Sequence, residues 1–178
     1  RVWCGTRASS RVDLAMRIVY VTEKMPFGPG EAFVLTEVLE VIRQGHEVCI
    51  IPTFPGGKVI HHDAQQLLGH TRIVPLASQR VWIGALTAAD RNPGKVARVL
   101  IHLLHSPSFY AYIRNLQAFV KGLYAAQVIT LWGADYIHAH WANYSATLAM
   151  IASKFSDVPW CFTANRYDIV AGNLLEEK

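Results

Sequence analysis

Short apolar runs alternate along the chain with longer stretches in which apolar residues recur every three or four positions. Residues 18–21 read Ile-Val-Tyr-Val; after the loop Pro26-Phe27-Gly28-Pro29-Gly30, Leu35, Val38, Leu39 and Ile42 recur at helical spacing. A β-branched run too short for a helix, then a period near 3.6, predicts strand, loop and helix. Glu31 opens that helix at the positive end of its dipole, and Gly45 closes it where left-handed backbone is wanted. A second buried strand is predicted at 48–51. Beyond the turn-rich residues 52–57, residues 64–68 suggest a short helix and 72–76 a third strand. Helical spacing returns over 93–104 and from 108 to about 131, with Ser106-Pro107-Ser108 breaking the first helix and capping the second. The alternation then resumes with a strand at 136–140, a helix at 145–154, a strand at 160–163 and a last helix beginning near Ile169.

Strands apolar on both faces, alternating with helices, predict an α/β fold with a doubly wound, mostly parallel, Rossmann-like sheet. No repeat or linker interrupts residues 16–178, which are expected to form one domain. Residues 1–15 carry Arg1, Arg7 and Arg11 without the apolar segment of a secretory signal, and are expected to be an extension. With 178 residues, 52% of them hydrophobic, the chain can bury a sizeable core without disulfides. Its longest apolar stretches, around 99–113 and 122–134, fall short of the roughly 20 residues that cross a bilayer. Cys4, Cys49 and Cys161 are odd in number, and two lie in predicted strands; reduced thiols in a cytoplasmic protein are the expectation. No metal is expected, because His61-His62 and His138-Ala139-His140 lack cysteine or carboxylate partners at zinc-site intervals. The net charge of +4 is uneven: Arg72, Arg80, Arg91, Lys95, Arg98, Arg114 and Lys121 face the single acid Asp90 between residues 64 and 134. That suggests contact with a phosphorylated ligand or peripheral attachment at the inner face of an anionic membrane, with an ordinary solvated helix face as the alternative. No nucleic-acid-binding module is visible.

In an open parallel sheet, ligands bind beyond the carboxyl ends of the strands. That rule selects residues 22–31, 140–144 and 164–168. Gly28-Pro29-Gly30 opens a helix after a strand, where backbone N–H groups can hold an anion. As a dinucleotide fingerprint it fails: Phe33 stands at the third glycine position, where its ring would hold helix off strand, and Ile50-Ile51-Pro52-Thr53 lacks the ribose-binding acid. No Gly-Lys-Ser/Thr phosphate loop is present. His138 and His140 are expected on opposite faces of their strand, His140 entering a pocket beside Trp141 and Asn143, and His138 packing under a helix with one nitrogen hydrogen-bonded. Trp141 is either a core residue or an apolar platform for a sugar ring. Asn165, Arg166 and Asp168, polar directly after an apolar strand, form the richest candidate; the alternative is a helix start in which Asp168 caps and Arg166 pairs with it.

Four blocks, in order, carry a family resemblance: Met16-Arg17-Ile18-Val19-Tyr20-Val21; Gly28-Pro29-Gly30-Glu31-Ala32-Phe33 through Gly45-His46-Glu47-Val48; Ile137-His138-Ala139-His140-Trp141-Ala142; and Phe162-Thr163-Ala164-Asn165-Arg166-Tyr167-Asp168-Ile169. With them the chain resembles family 4 of the retaining glycosyltransferases, two-domain enzymes of GT-B fold. The resemblance implies the amino-terminal, acceptor-side half of such an enzyme, with the carboxyl-terminal donor domain absent. It implies a nucleotide-sugar donor, a glycan or lipid-linked acceptor in cell-surface polysaccharide or glycoconjugate synthesis, and no metal or other cofactor. Gly28, Gly30 and Glu31 would shape the acceptor and phosphate side, while His140, Trp141, Asn165, Arg166 and Asp168 would line the cleft. Members commonly carry His where Asn165 stands, facing the donor sugar; Asn can hydrogen-bond there but cannot titrate. The alternative from a different class is a self-contained, non-catalytic ligand-binding or regulatory domain.

Overall fold

The computed structural model describes residues 15–166, 168, 173 and 174. The extension expected at 1–15 lies almost wholly outside them, as does Ile169. Four strands, β1 (Arg17–Thr22), β2 (Glu47–Pro52), β3 (Tyr136–His140) and β4 (Trp160–Thr163), form an all-parallel sheet in the order β2-β1-β3-β4. The helices are α1 (Ala32–Arg43), α2 (Gln79–Arg91), α3 (Pro93–Leu103), α4 (Phe109–Trp132) and α5 (Tyr144–Ser156), with a 3-10 helix at His62–His70. The α/β parallel-sheet architecture is therefore as the pattern predicts.

Strand periodicity explains the layering. Val19 and Val21 of β1, Cys49 and Ile51 of β2 and Ile137 and Ala139 of β3 point to one face, where α4 and α5 cover them with Ala118, Ala125, Ile129, Ala146, Leu148 and Ala149. The intervening residues Tyr20, Val48 and Ile50 face the other way, against Val34, Leu35 and Val38 of α1 and Ala64 and Leu67 of the 3-10 helix. A third cluster joins Ala85 and Ala88 of α2 and Val99 and Leu103 of α3 to the outer side of α4 and α5. The small residues Ala146, Ala149 and Ala152 let α5 lie close to both the sheet and α4.

Local signals act where expected. Gly45, φ +90°, follows the end of α1 in the left-handed conformation that a side chain would disfavour. Ser108 caps α4, its hydroxyl accepting from Ala111 N–H at 3.1 Å. The strand predicted at 72–76 is a correction. Only Thr71 bridges β2, pairing with Ile50, and Arg72 N–H donates to the Ile50 carbonyl at 2.8 Å. Val74 is buried, but Ile73 is half exposed, and Pro75 has no N–H with which to extend a ladder.

Three charges of the basic stretch are engaged by groups of the chain itself. Lys121 of α4 is buried and donates to the Thr53 carbonyl at the end of β2. Arg114 stacks 3.6 Å above the Phe54 ring, and Lys95 is tied to the Lys154 carbonyl and Asp157 carboxylate. Arg72, Arg80, Arg91 and Arg98 stay exposed, on the segment after the 3-10 helix, on α2 and on α3. No helix among the described residues is long and apolar enough to cross a membrane.

Candidate functional site

The chain runs outward from β1 to β2, then returns to place β3 on the other side of β1. β1 and β3 therefore flank the point where strand order reverses, the place at which open parallel sheets bind ligands. Two cavities open at their carboxyl ends. One, of about 330 Å³, is lined by Glu23, Lys24, Pro29, Gly30, Glu31 and Trp141. The other, of about 340 Å³, has Glu23 in common with it and is lined chiefly by Arg114, Asn143, Tyr144, Asp168 and Asn173.

Glu31 organises this region. It stands at the start of α1 without capping it; the carboxylate turns back and accepts from the N–H groups of Glu23 (2.9 Å), Lys24 (2.7 Å) and Met25 (2.6 Å). Its Oε1 also accepts from the Trp141 indole N–H at 3.1 Å, which ties the loop after β1 to the residue after β3. The N–H groups of 23–25, in the same loop as the expected Gly28-Pro29-Gly30 cradle, are thus occupied by an internal anion. Gly28, φ +76°, spends its N–H on the Lys58 carbonyl at 3.1 Å, and only Gly30 of the pair lines a cavity. Nearby burial raises the Glu23 carboxyl above its ordinary pKa, with the Glu31 charge acting in the same direction.

His138 and His140 correct an expectation. Two residues apart on one strand, they share a face, the α1 face, with ring centroids 6.1 Å apart. His140 does not line either cavity: it is 3% exposed, with Phe33 5.0 Å away and Trp141 5.8 Å away between centroids, and both its ring nitrogens are buried without a hydrogen-bond partner. Phe33 does not wedge helix from strand either; half exposed, it lies over His140 and Trp141. His138 has neighbours at both nitrogens, Cys161 Sγ 3.1 Å from Nδ1 and Thr163 Oγ1 3.3 Å from Nε2. Burial lowers the pKa of both imidazoles, and the carboxylate of Glu37 opposes this at each. Glu37, on α1, accepts from Tyr20 Oη at 2.9 Å and lies 3.9 Å from His138 Nε2.

Trp141 has φ +79°, a left-handed conformation that is costly for an aromatic residue, held by its N–H to the Thr163 carbonyl (3.0 Å) and the indole bond to Glu31. Asn143 starts α5, its side-chain oxygen accepting from Ser145 N–H at 3.0 Å. In the last segment Asp168 is buried, and its Oδ2 accepts from Asn165 N–H at 3.0 Å while its own N–H donates to the Asn165 carbonyl at 3.0 Å. That reciprocal pair makes Asn165 the cap and Asp168 the residue reaching back, the reverse of the capping role predicted for Asp168. Arg166 is exposed. Asp168 reaches the second cavity, whereas Asn165 and Arg166 are absent from the linings of both.

Of the remaining contributors, Arg114 was visible only as part of the basic stretch, Tyr144 lies within the selected residues 140–144, and Asn173 carried no sequence signal. Arg114 and Tyr144 join the cavity through stacking around Phe54, and Asn173 through a buried amide pair with Asn115, bonded at 2.9 and 3.2 Å. Compared with known proteins, the chain matches no family model, no curated protein and no solved structure.

Proposed function

We propose that the chain is the acceptor-side half of a retaining glycosyltransferase, holding a glycan or lipid-linked acceptor for transfer from a nucleotide-sugar bound by a second domain. The observation that carries the reading is the pair of adjoining cavities at the strand-order reversal between β1 and β3. A carbohydrate presents hydroxyls for hydrogen bonding and an apolar C–H face for aromatic contact. The crevice offers the indole of Trp141 for the second, and the groups of Glu23, Asn143, Arg114 and Asp168 for the first. These loops also carry the resemblance to family 4 of the glycosyltransferases.

In such a transfer the acceptor hydroxyl oxygen bonds to the anomeric carbon on the face from which the nucleoside diphosphate departs. The hydroxyl proton passes to the departing phosphate oxygen. No titrating protein base is required, so Asn165 in place of the common His is compatible with turnover in the intact protein. Glu31 acts as a positioning residue, since its carboxylate is consumed by the loop amides and Trp141.

Nitrogen-15 NMR of the chain tests the reading, with oligosaccharides and lipid-linked saccharides as probes and nucleotide-sugars offered alongside. Saccharides are expected to shift the amides of residues 23–30, the Trp141 indole N–H and the Asn143 side chain, with no transfer by this chain alone. Absence of any saccharide-induced shift in these groups, or turnover by the chain alone, would overturn the proposal. Binding of a non-saccharide small molecule in their place would favour the self-contained ligand-binding domain.

A further inference from the structure

Burying an imidazole normally requires a partner for each nitrogen, because neither can reach water once the ring is enclosed. His140 leaves both nitrogens buried and unpartnered. One ligand atom from it, one from His138 and one from Glu37 lie within 4.8 Å of one another. Two elements nearly a hundred residues apart in sequence supply the three: α1 brings Glu37, and β3 brings both histidines on the face that α1 covers.

We propose that Glu37, His138 and His140 bind one divalent transition-metal ion of the zinc class, which ties α1 to β3 and keeps one coordination position open. Two imidazoles and one carboxylate suit such an ion, whereas magnesium and calcium prefer all-oxygen sets. The groups behind the ligands are also of the kind metal sites use. Tyr20 Oη donates to the Glu37 carboxylate at 2.9 Å, and Cys161 Sγ lies 3.1 Å from His138 Nδ1, leaving Nε2 turned toward Glu37 at 3.9 Å. In a tetrahedral site with bonds of about 2.0–2.1 Å, ligand atoms stand roughly 3.4 Å apart. Glu37 is exposed, which gives its side chain room to adjust toward the ion and gives the ion a path from solvent. The Thr163 hydroxyl, now 3.3 Å from His138 Nε2, is exposed and can turn to water.

The full chain, stripped of metal with a chelator, is titrated with zinc chloride by calorimetry and with cobalt chloride by visible absorption, with magnesium and calcium chlorides as comparisons. Expected are one equivalent of zinc, a higher melting temperature with zinc, and the d–d absorption of four-coordinate cobalt. Glu37→Gln and His140→Gln should each weaken zinc binding by at least about tenfold, since loss of outer partners alone does so at metal sites. Glu37 is on the surface, so its variant carries the test even where His140→Gln fails to fold. Changing His62, half of the exposed His62–Asp63 pair, to Ala should leave binding unaltered. No stoichiometric zinc binding, equal binding by wild type and Glu37→Gln, loss in His62→Ala, or magnesium binding as tight as zinc would each overturn the proposal.

Discussion

Removing the charge of Glu31 without changing its shape tests whether one carboxylate holds the site together. In Glu31→Gln, one of the two oxygens becomes an amide nitrogen. Placed at Oε1 it would face the donors of Glu23 and Trp141; placed at Oε2 it would face those of Lys24 and Met25. Either way two of four hydrogen bonds are lost, and donor is set against donor. Bonds to a charged group contribute about 1.5–3 kcal/mol each, so two are worth about 3–6 kcal/mol. A neutral amide is easier to bury than a carboxylate, which returns part of that and leaves about 2–4 kcal/mol net. Urea unfolding would register the loss where the loop unfolds with the domain. Where the loop opens alone, the amides of 23–25 should exchange hydrogen roughly 30-fold faster or more, at about 1.4 kcal/mol per decade. A stability change below about 1 kcal/mol together with unaltered exchange at 23–25 would refute the reasoning.

Burial holds Lys121 down to about 8 from an ordinary 10.5, with the Arg114 charge adding to the effect. Between those pH values the unfolded state binds more protons than the folded one, so stability rises with pH across the window. The difference in urea stability between wild type and Lys121→Met should therefore grow in favour of wild type by about 3 kcal/mol from pH 8 to 10.5, at 1.36 kcal/mol per unit. The Cys49 thiol, pushed by burial up to about 11, affects both proteins alike and cancels; a flat difference would show Lys121 to be unperturbed. On the outer side of α2, exposed Trp82, Ile83 and Leu86 stand beside Arg80, so the chain is expected to sediment with anionic vesicles at low salt and less so as salt screens the contact. Equal sedimentation with neutral vesicles would remove that idea.

β1 and β2 were legible as continuous apolar runs, β4 as the short apolar run Trp160-Cys161-Phe162, and β3 through its place in the alternation of strands and helices despite His138 and His140. The stretch at 72–76 looks alike locally. Its difference lies in its neighbours: it sits outside β2, where after one bridge a proline interrupts the donors. Histidines at 138 and 140 were visible as candidates, but strand periodicity places them together, on the face of Tyr20, and only the packing of α1 delivers Glu37 and Phe33 to them. No spacing rule within one segment could find that partner. The same limit applies to Arg114 and Asn173, which tertiary contacts bring to the crevice, whereas Tyr144 follows β3 in the segment the strand-end rule selects.

Glu31 shows how a correctly placed signal can still mislead about role. An acid at a helix start is favourable for the dipole, and a glycine-containing loop before it suggests an anion site. The structure does place an anion in this loop, but on the N–H groups of 23–25 rather than on those at the helix start. The N–H groups at 23–25, that of Met25 buried and the other two partly so, need an acceptor whether or not a ligand is bound, and the chain meets that need with its own carboxylate. A phosphate entering there would have to displace a covalently tethered anion bound by four donors, against a high effective concentration. The approach left open is from the other side, across the face of Trp141 toward Asn143, Arg114 and Asp168. Among the described residues that line the second cavity, Arg114 supplies the cation, with Glu23 and Asp168 as its acidic counterparts, while Lys24 lines the first. Such a mixed-charge, aromatic-edged surface suits a hydroxylated, largely neutral acceptor better than a bare phosphate, which would meet two carboxylates for one guanidinium.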